Sequence, residues 1–261
     1  METPIGVLFM MNDINAIYTI WLREMIRYLR DRMRIISSIA TAFFYLTIVA
    51  VGIGSFASVG NLDFKIFMAP GVIGITILFT SMFSGMSVIW DRQFGFLKEI
   101  LVAPVSRTSV ILGKMAGSAT IALSNGLLVL ILAIILVPLP ITIGILPAIV
   151  FMILTSFAIV SIGLIIASRM RSMEGFQAIL SFIIMPLFFL AGVFFPLNAV
   201  PAHLRLASML DPLTYGVDGL RGSLIGTQHS YFPLLTDFGV LLAFDIVMII
   251  IASYLFNRTS V

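Results

Sequence analysis

The longest run without a charged side chain is the feature that most limits how this chain folds. No Asp, Glu, Lys or Arg lies between Lys114 and Arg169, a run of 54 residues. About 20 apolar residues in a helix cross the hydrocarbon core of a bilayer, which is about 30 Å thick. The run is too long for one span, and prolines interrupt it near its middle, where they remove helix hydrogen bonds. We predict two membrane helices here, near residues 115–137 and 146–168.

The remaining charges leave four further stretches long enough to span a membrane, three of them uncharged and the last holding a single charge, Asp245. The chain is 60% apolar and 10% charged, whereas a soluble domain is about 45–50% apolar and about 25% charged. This composition excludes a soluble enzyme, a disordered chain and a nucleic-acid-binding protein. We predict an all-α integral membrane protein with six transmembrane helices. The four further spans are predicted within 35–62, 66–90, 175–202 and 238–257.

The scarce cations predict the orientation. Twelve of the 15 Lys and Arg residues fall in the N-terminal segment, the second and fourth loops and the C-terminal tail. The positive-inside rule therefore places both termini in the cytoplasm, in a multi-pass protein of the cell (inner) membrane. The chain has no Cys and two His, so we expect no metal site.

The N-terminal segment, residues 1–34, is predicted to be an amphipathic helix separate from the six-span domain, 35–261. Arg23, Arg27 and Arg30 recur at helical spacing on one face, with Trp21 near headgroup level. One interpretation is an electrostatic anchor for the first span. The other is part of a docking surface for a cytoplasmic partner.

Two further segments are unusual for loops. Residues 91–114 are longer than a simple connection needs, so they favour a short cytoplasmic helix that holds a partner, or one that only caps the third span. Residues 197–237 are apolar and carry glycines at helical spacing, which suits close helix packing. We interpret them as short helices re-entering the outer leaflet, where protein covers the backbone; the alternative is a loose interfacial loop.

Motifs for chemistry are missing from the sequence. Gly113-Lys114 is followed by Met115 and is not a Walker A motif, so ATP would have to be bound by another chain. Asp245 is the one carboxylate inside a predicted span. Carboxylates within membrane helices often bind or transfer protons or cations. A secondary transporter or channel using Asp245 is therefore the alternative function. A membrane-embedded enzyme would need paired acids or His in the spans.

Three stretches together resemble permeases of the type-2 ATP-binding-cassette exporters, similar to those of daunorubicin resistance and nodulation-factor export. They are LKEILVAPVSRTSVILGK, LAGVFFPL and DPLTYGVDGLRG. The resemblance implies an ATP-driven exporter in which two permease copies in the lipid bilayer join two ABC ATPase subunits. Those subunits would bind ATP and Mg, and no cofactor is expected in this chain. The cargo would be a hydrophobic or amphipathic drug, lipid or lipid-linked saccharide.

The resemblance also implies roles for individual residues. The coupling helix that contacts the ATPase would comprise Phe96, Leu97, Lys98, Glu99, Ile100 and Leu101, ended by Pro104 and Arg107. The connecting helix would use Trp21, Arg23, Arg27 and Arg30, one of these arginines pairing with Glu99. The outer gate would include Gly192, Pro196, Asp211, Pro212, Tyr215 and Arg221. Candidates for the translocation path are Phe43, Phe44, Tyr45, Ser84, Asn125, Phe188 and Phe189.

Overall fold

The computed structural model describes residues 4–54, 62–95, 105–140, 142–170 and 172–257. These residues form helices and connecting turns, and no β-strand occurs among them. The helices are α1 (Pro4–Arg30), α2 (Arg32–Phe44), α3 (Ala50–Gly54), α4 (Phe64–Ser84), α5 (Met86–Gln93), α6 (Arg107–Leu136), α7 (Ile145–Arg169), α8 (Met173–Leu190), α9 (Ala202–Ser208), α10 (Pro212–Ile225) and α11 (Leu234–Asn257).

Six helical segments in the described part of the chain are long and apolar enough to cross a membrane. The first joins α2 to α3 through a π-helical stretch, Tyr45–Val49, and the second joins α4 to α5. The prediction of an all-α protein with six spans is confirmed. The six segments are Arg32–Gly54, Phe64–Gln93, Arg107–Leu136, Ile145–Arg169, Met173–Leu190 and Leu234–Phe256.

The boundaries of the predicted N-terminal helix and third span differ from the structure. The helix is interrupted at Asp31, between α1 and α2. The Asp31 carboxylate accepts the Arg34 N–H at 3.2 Å and caps α2. Arg34 therefore lies in the first span. The third span begins at Arg107 rather than near residue 115, so Lys114 lies two turns inside α6. Sequence reasoning placed Lys114 in a loop because it is charged, but its side chain is fully buried and paired.

Helix α4 lies at the centre of the bundle. Every residue from Phe67 to Leu78 is buried, as expected of a helix that is apolar on all sides. It packs against α6, α7 and α10. Gly74 allows the closest approach to α10, because a Cβ added there would lie 2.5 Å from Cγ2 of Val217.

This contact supports a double-mutant test of the packing of α10. Gly74→Ala is expected to destabilise the protein by about 1–3 kcal/mol, the range for overpacking. Val217→Ala removes the opposing methyls and leaves Cβ at 3.9 Å, so the double variant should recover most of that loss. Thermal unfolding of purified protein in detergent would measure the coupling. Gly239→Ala is the control, since nothing lies within 4 Å of its added Cβ. If the destabilisation of the double variant were the sum of the two single destabilisations, the contact between Gly74 and Val217 would be contradicted.

Candidate functional site

Four charged side chains meet where α1 packs against α5 and α6; we call them the ion-pair cluster: Arg23, Glu24, Asp91 and Lys114. Lys114 Nζ lies 2.5 Å from Asp91 Oδ2 and 3.4 Å from Glu24 Oε1. Arg23 Nη2 lies 2.7 Å from Asp91 Oδ1. Two cations and two carboxylates balance, so the cluster is neutral although three of its side chains are almost fully buried. Such a group is stable only while every member keeps its partners.

Small residues bring α1 close to α6 beside this cluster. A Cβ at Gly113 would lie 3.0 Å from the Ile17 carbonyl oxygen, and one at Gly117 would lie 2.9 Å from Glu24 Cβ. Trp21 Nε1 donates to Thr120 Oγ1 at 3.1 Å. Close backbone contact and a polar side-chain pair together hold α1 against α6. Small residues allow the same close packing between membrane helices in general.

Helix α1 contacts both flanks of the segment predicted to be the coupling helix. On the preceding flank, Arg23 binds Asp91 and the Arg27 guanidinium lies 4.9 Å from the Trp90 ring centroid. On the following flank, Asp13 Oδ1 accepts the Ser106 N–H at 2.8 Å, and this bond lowers the pKa of Asp13. The coupling residues Phe96 to Leu101 and Pro104, including the Glu99 pairing, lie outside the described residues. Arg107 is the first residue of α6.

Asn125 joins three helices about three turns further along α6 than Lys114. Its Oδ1 accepts from Tyr28 Oη on α1 at 3.1 Å and from Ser38 Oγ on α2 at 2.7 Å. Its Nδ2 donates to the Ile121 carbonyl within α6. These bonds tie α1 and α2 to α6, and Asn125 is absent from the lining of the two cavities described next.

Two adjoining cavities run from α1 into the bundle and share Arg34 and Phe83. The polar cavity, of about 250 Å³, lies among α1, α2, α4, α5 and α6 and includes Glu24 of the ion-pair cluster. The hydroxyl groove, of about 480 Å³, lies between α2 and α4. The other polar cavity residues are Arg27, Tyr28, Asp31, Ser84, Met86, Ser87, Trp90, Ser118 and Ile121. The other groove residues are Ser37, Ser38, Thr41, Tyr45, Ile75, Thr76, Phe79 and Thr80.

Aromatic rings cluster beside the groove. Phe188 is buried, and its ring centroid lies 6.3 Å from that of Tyr45, 6.2 Å from that of Phe79 and 5.2 Å from that of Phe194. Tyr45 and Phe79 line the groove themselves. The cluster joins the first and second spans to α8, so a movement of α8 would change the shape of the groove.

The other path candidates fall in different places. Ser84 is buried and lines the polar cavity. Phe43, Phe44 and Phe189 are about half exposed on the outside of the bundle. The structure therefore brings Tyr45, Ser84 and Phe188 together around the two cavities and leaves those three phenylalanines outside them.

The predicted gate residues surround α10 at the end of the bundle opposite α1. Asp211 caps α10 by accepting the Leu213 N–H at 2.8 Å, Pro212 is its first residue, and burial raises the pKa of Asp211 to about 8. Tyr215 Oη donates to the Met209 carbonyl at 2.8 Å. All of α10 is buried. Its glycines meet α7: an added Cβ on Gly216 would overlap Thr155, and one on Gly219 would overlap Phe151.

Arg221 joins α10 to the turn after α8. Its Nη2 donates to the Gly192 carbonyl at 2.7 Å, and its guanidinium lies 4.0 Å from the Phe67 ring centroid. Gly192 has φ of +67°, a conformation that favours glycine. Pro196 lines a cavity of about 640 Å³ beside Arg221. Arg221 also forms an ion pair with the buried Asp218, in which Nη1 lies 3.9 Å from Oδ1.

Sequence reasoning missed several functional groups. It did not link Glu24 and Asp91 to Lys114, although a charge beside an apolar run is a signal that it needs a partner. The sequence predicts that the last span begins after Asp237, but Asp237 lies in the first turn of α11 and is fully buried. Both carboxylate oxygens of Asp237 and Oδ1 of Asp245 lack a hydrogen-bond partner among the described residues.

Comparisons with known proteins agree with this architecture. Residues 15–225 match the ABC-2 type transporter family. The inner membrane transport permease YadH of Escherichia coli (strain K12) is 26% identical over 246 residues, covering 93% of this chain and 95% of YadH. Nodulation protein J of Rhizobium leguminosarum bv. trifolii is 23% identical over 245 residues, covering 92% of each chain.

A shorter similarity extends to a further putative transport permease. The putative transport permease ycf38 of Pyropia yezoensis is 28% identical over 165 residues, covering 62% of this chain and 56% of that protein. The family match runs from α1 to α10 and takes in the ion-pair cluster, both cavities and Arg221. This multi-pass membrane protein belongs to the ABC-2 type transporter family.

Proposed function

We propose that this chain is the membrane permease of an ATP-driven exporter, moving a hydrophobic or amphipathic substrate outward. Two copies would join two ABC ATPase subunits, which bind ATP and Mg. The observation that carries the proposal is that Glu24 belongs both to the ion-pair cluster and to the lining of the polar cavity. The cluster thus connects Asp91, on the flank of the predicted coupling helix, to the polar cavity, which we take as the start of the translocation path.

The mechanism follows from this connection. A force on residues 96–104 would act on Asp91 and Ser106, and both are bound to α1. Because α1 also holds Asn125 and through it Ser38, its movement would be passed to the groove wall on α2. Tighter binding of ATP to one conformation of the ATPase supplies the energy for such a change.

The location of α1 in the membrane interface is supported by its outer surface. Apolar side chains follow one another at helical spacing there, and Leu29 is 64% exposed. A helix of this kind, with arginines on another face, suits the cytoplasmic headgroup region. The exposed apolar residues are Ile14, Tyr18, Leu22, Ile26 and Leu29.

The coupling assignment is tested with Glu99→Arg. We expect this variant to lose most co-purification with the partner ATPase, sought first in the neighbouring reading frame, and to lose substrate-dependent ATP hydrolysis. Charge reversal at a buried interface pair typically costs several kcal/mol. Glu174→Arg is the matched control, an exposed acid in the first turn of α8 at the same end of the bundle. Unchanged assembly and hydrolysis for Glu99→Arg would exclude residues 96–101 as the contact.

A further inference from the structure

Two arginines of the polar cavity have no close ion-pair partner among the described residues. Arg27 lies over the Trp90 ring, and Arg34 is partly buried in the first turn of α2. Neither guanidinium forms an ion pair or a hydrogen bond with another described residue. Arginine presents a planar set of donors that matches a carboxylate or phosphate.

The acids that line the same cavity do not balance both arginines. Glu24 accepts from Lys114 inside the neutral ion-pair cluster, and Asp31 caps α2 through the Arg34 backbone N–H. With Glu24 balanced inside the cluster, the two arginines face one remaining carboxylate, that of Asp31, and the cavity lining carries one excess positive charge. An anionic group is its electrostatic complement.

The hydroxyl groove adds the second half of the argument. It continues from Arg34 and Phe83 and is lined by Ile75 and aromatic rings, with hydroxyls on both walls. The Thr76 hydroxyl donates to the Val72 carbonyl, so its proton is not available to a ligand in the groove. At about 480 Å³ the groove is in the range of small-molecule sites, about 300–1,000 Å³.

We propose that the two cavities together bind an anionic amphiphile, with its acid group between Arg27 and Arg34 and its apolar part in the hydroxyl groove. This inference rests on the proposed function, since it names the chemical class of the substrate. Charge complementarity in one cavity and an apolar continuation in the other select this occupant over a neutral or cationic one.

The test measures binding by the full-length chain in phosphatidylcholine nanodiscs, without the ATPase. The probe is pyrene-dodecanoic acid, detected by energy transfer from the two tryptophans, of which Trp90 lines the polar cavity. The competitors are decanoic acid, decanol and decyltrimethylammonium. We expect decanoic acid to compete at a concentration at least about tenfold lower than the other two, as one charge-assisted hydrogen bond predicts.

Variants separate the site from general surface charge, because clustered arginines attract anions to any membrane surface. Arg27→Gln and Arg34→Gln should each reduce the preference for the acid about tenfold, and Arg27→Lys should retain most of it. Arg30→Gln is the matched control, an exposed arginine of α1 that is absent from both linings. Thr41→Phe, at an exposed groove position, should weaken all three amphiphiles equally.

Each outcome bears on the proposal. Equal competition by the three amphiphiles, or an equal effect of Arg30→Gln, would overturn it. Competition by acetate or inorganic phosphate at the same concentrations would show that the anion alone is recognised, which also overturns it. Loss of ATPase assembly in the Glu99→Arg experiment is read independently, so a wrong substrate class and a wrong function give different results.

Discussion

Lys114→Met is expected to lower the free energy of unfolding by about 3–5 kcal/mol, the cost of removing one partner from a buried ion pair. Lys114 is fully buried and is the cation closest to both Asp91 and Glu24. Asp91 keeps Arg23 in the variant, but no second ion-pair partner is recorded for Glu24 among the described residues. Methionine has a similar length, so lost packing contributes little and the change isolates the charge.

The measurement is thermal unfolding of detergent-purified protein, together with the yield of monodisperse protein from membranes. Lys65→Met is the matched control, because Lys65 is only partly buried and lies at the start of α4 at the other end of the bundle. Lys114→Met combined with Glu24→Gln should recover part of the loss, since one uncompensated carboxylate is removed. If Lys114→Met unfolded at the same temperature as Lys65→Met, the ion-pair cluster would not stabilise the docking of α1.

The uncharged runs were sufficient to predict the six spans, but not the charged groups buried within them. A charge on a membrane helix is ordinarily read as the end of that helix, and for Lys114 and Asp237 this gave a boundary where the helix continues. Lys114 is tolerated because Glu24, 90 residues away, and Asp91 approach it in the folded chain. Single-sequence patterns do not report such long-range pairs.

The same limit applies to the candidate site. The glycine spacing on α10 predicted close packing, and Gly216 and Gly219 do lie against α7. The spacing could not predict that Thr155 and Phe151 are the neighbours. Aromatic residue type alone also could not separate buried Phe188 from half-exposed Phe189, because adjacent helix positions point in different directions.

Arg221→Met is the second change for which we expect a large loss, about 3–5 kcal/mol. The side chain is the largest among the fully buried ones in the described part of the chain. Without it, the Gly192 carbonyl loses its donor and Asp218 loses its counter-ion. Asp218 would still accept the backbone N–H groups of Tyr231 and Phe232, each at 2.8 Å. We therefore expect α10 to stay attached to the bend that precedes α11, while its contact with the turn after α8 weakens.

A double-mutant cycle with Asp218→Asn tests whether the charge pair or the Gly192 bond carries the effect. If the pair dominates, Arg221→Met in the Asp218→Asn background should cost clearly less than in the wild type, because no unpaired carboxylate is left. If the Gly192 bond dominates, the cost should be the same in both backgrounds. Arg205→Met on α9 is the control, a partly exposed arginine for which about 0.5 kcal/mol or less is expected. A loss at Arg221 no larger than at Arg205 would mean that Arg221 does not hold α10 to the turn at Gly192, and that the predicted outer gate is stabilised by packing alone.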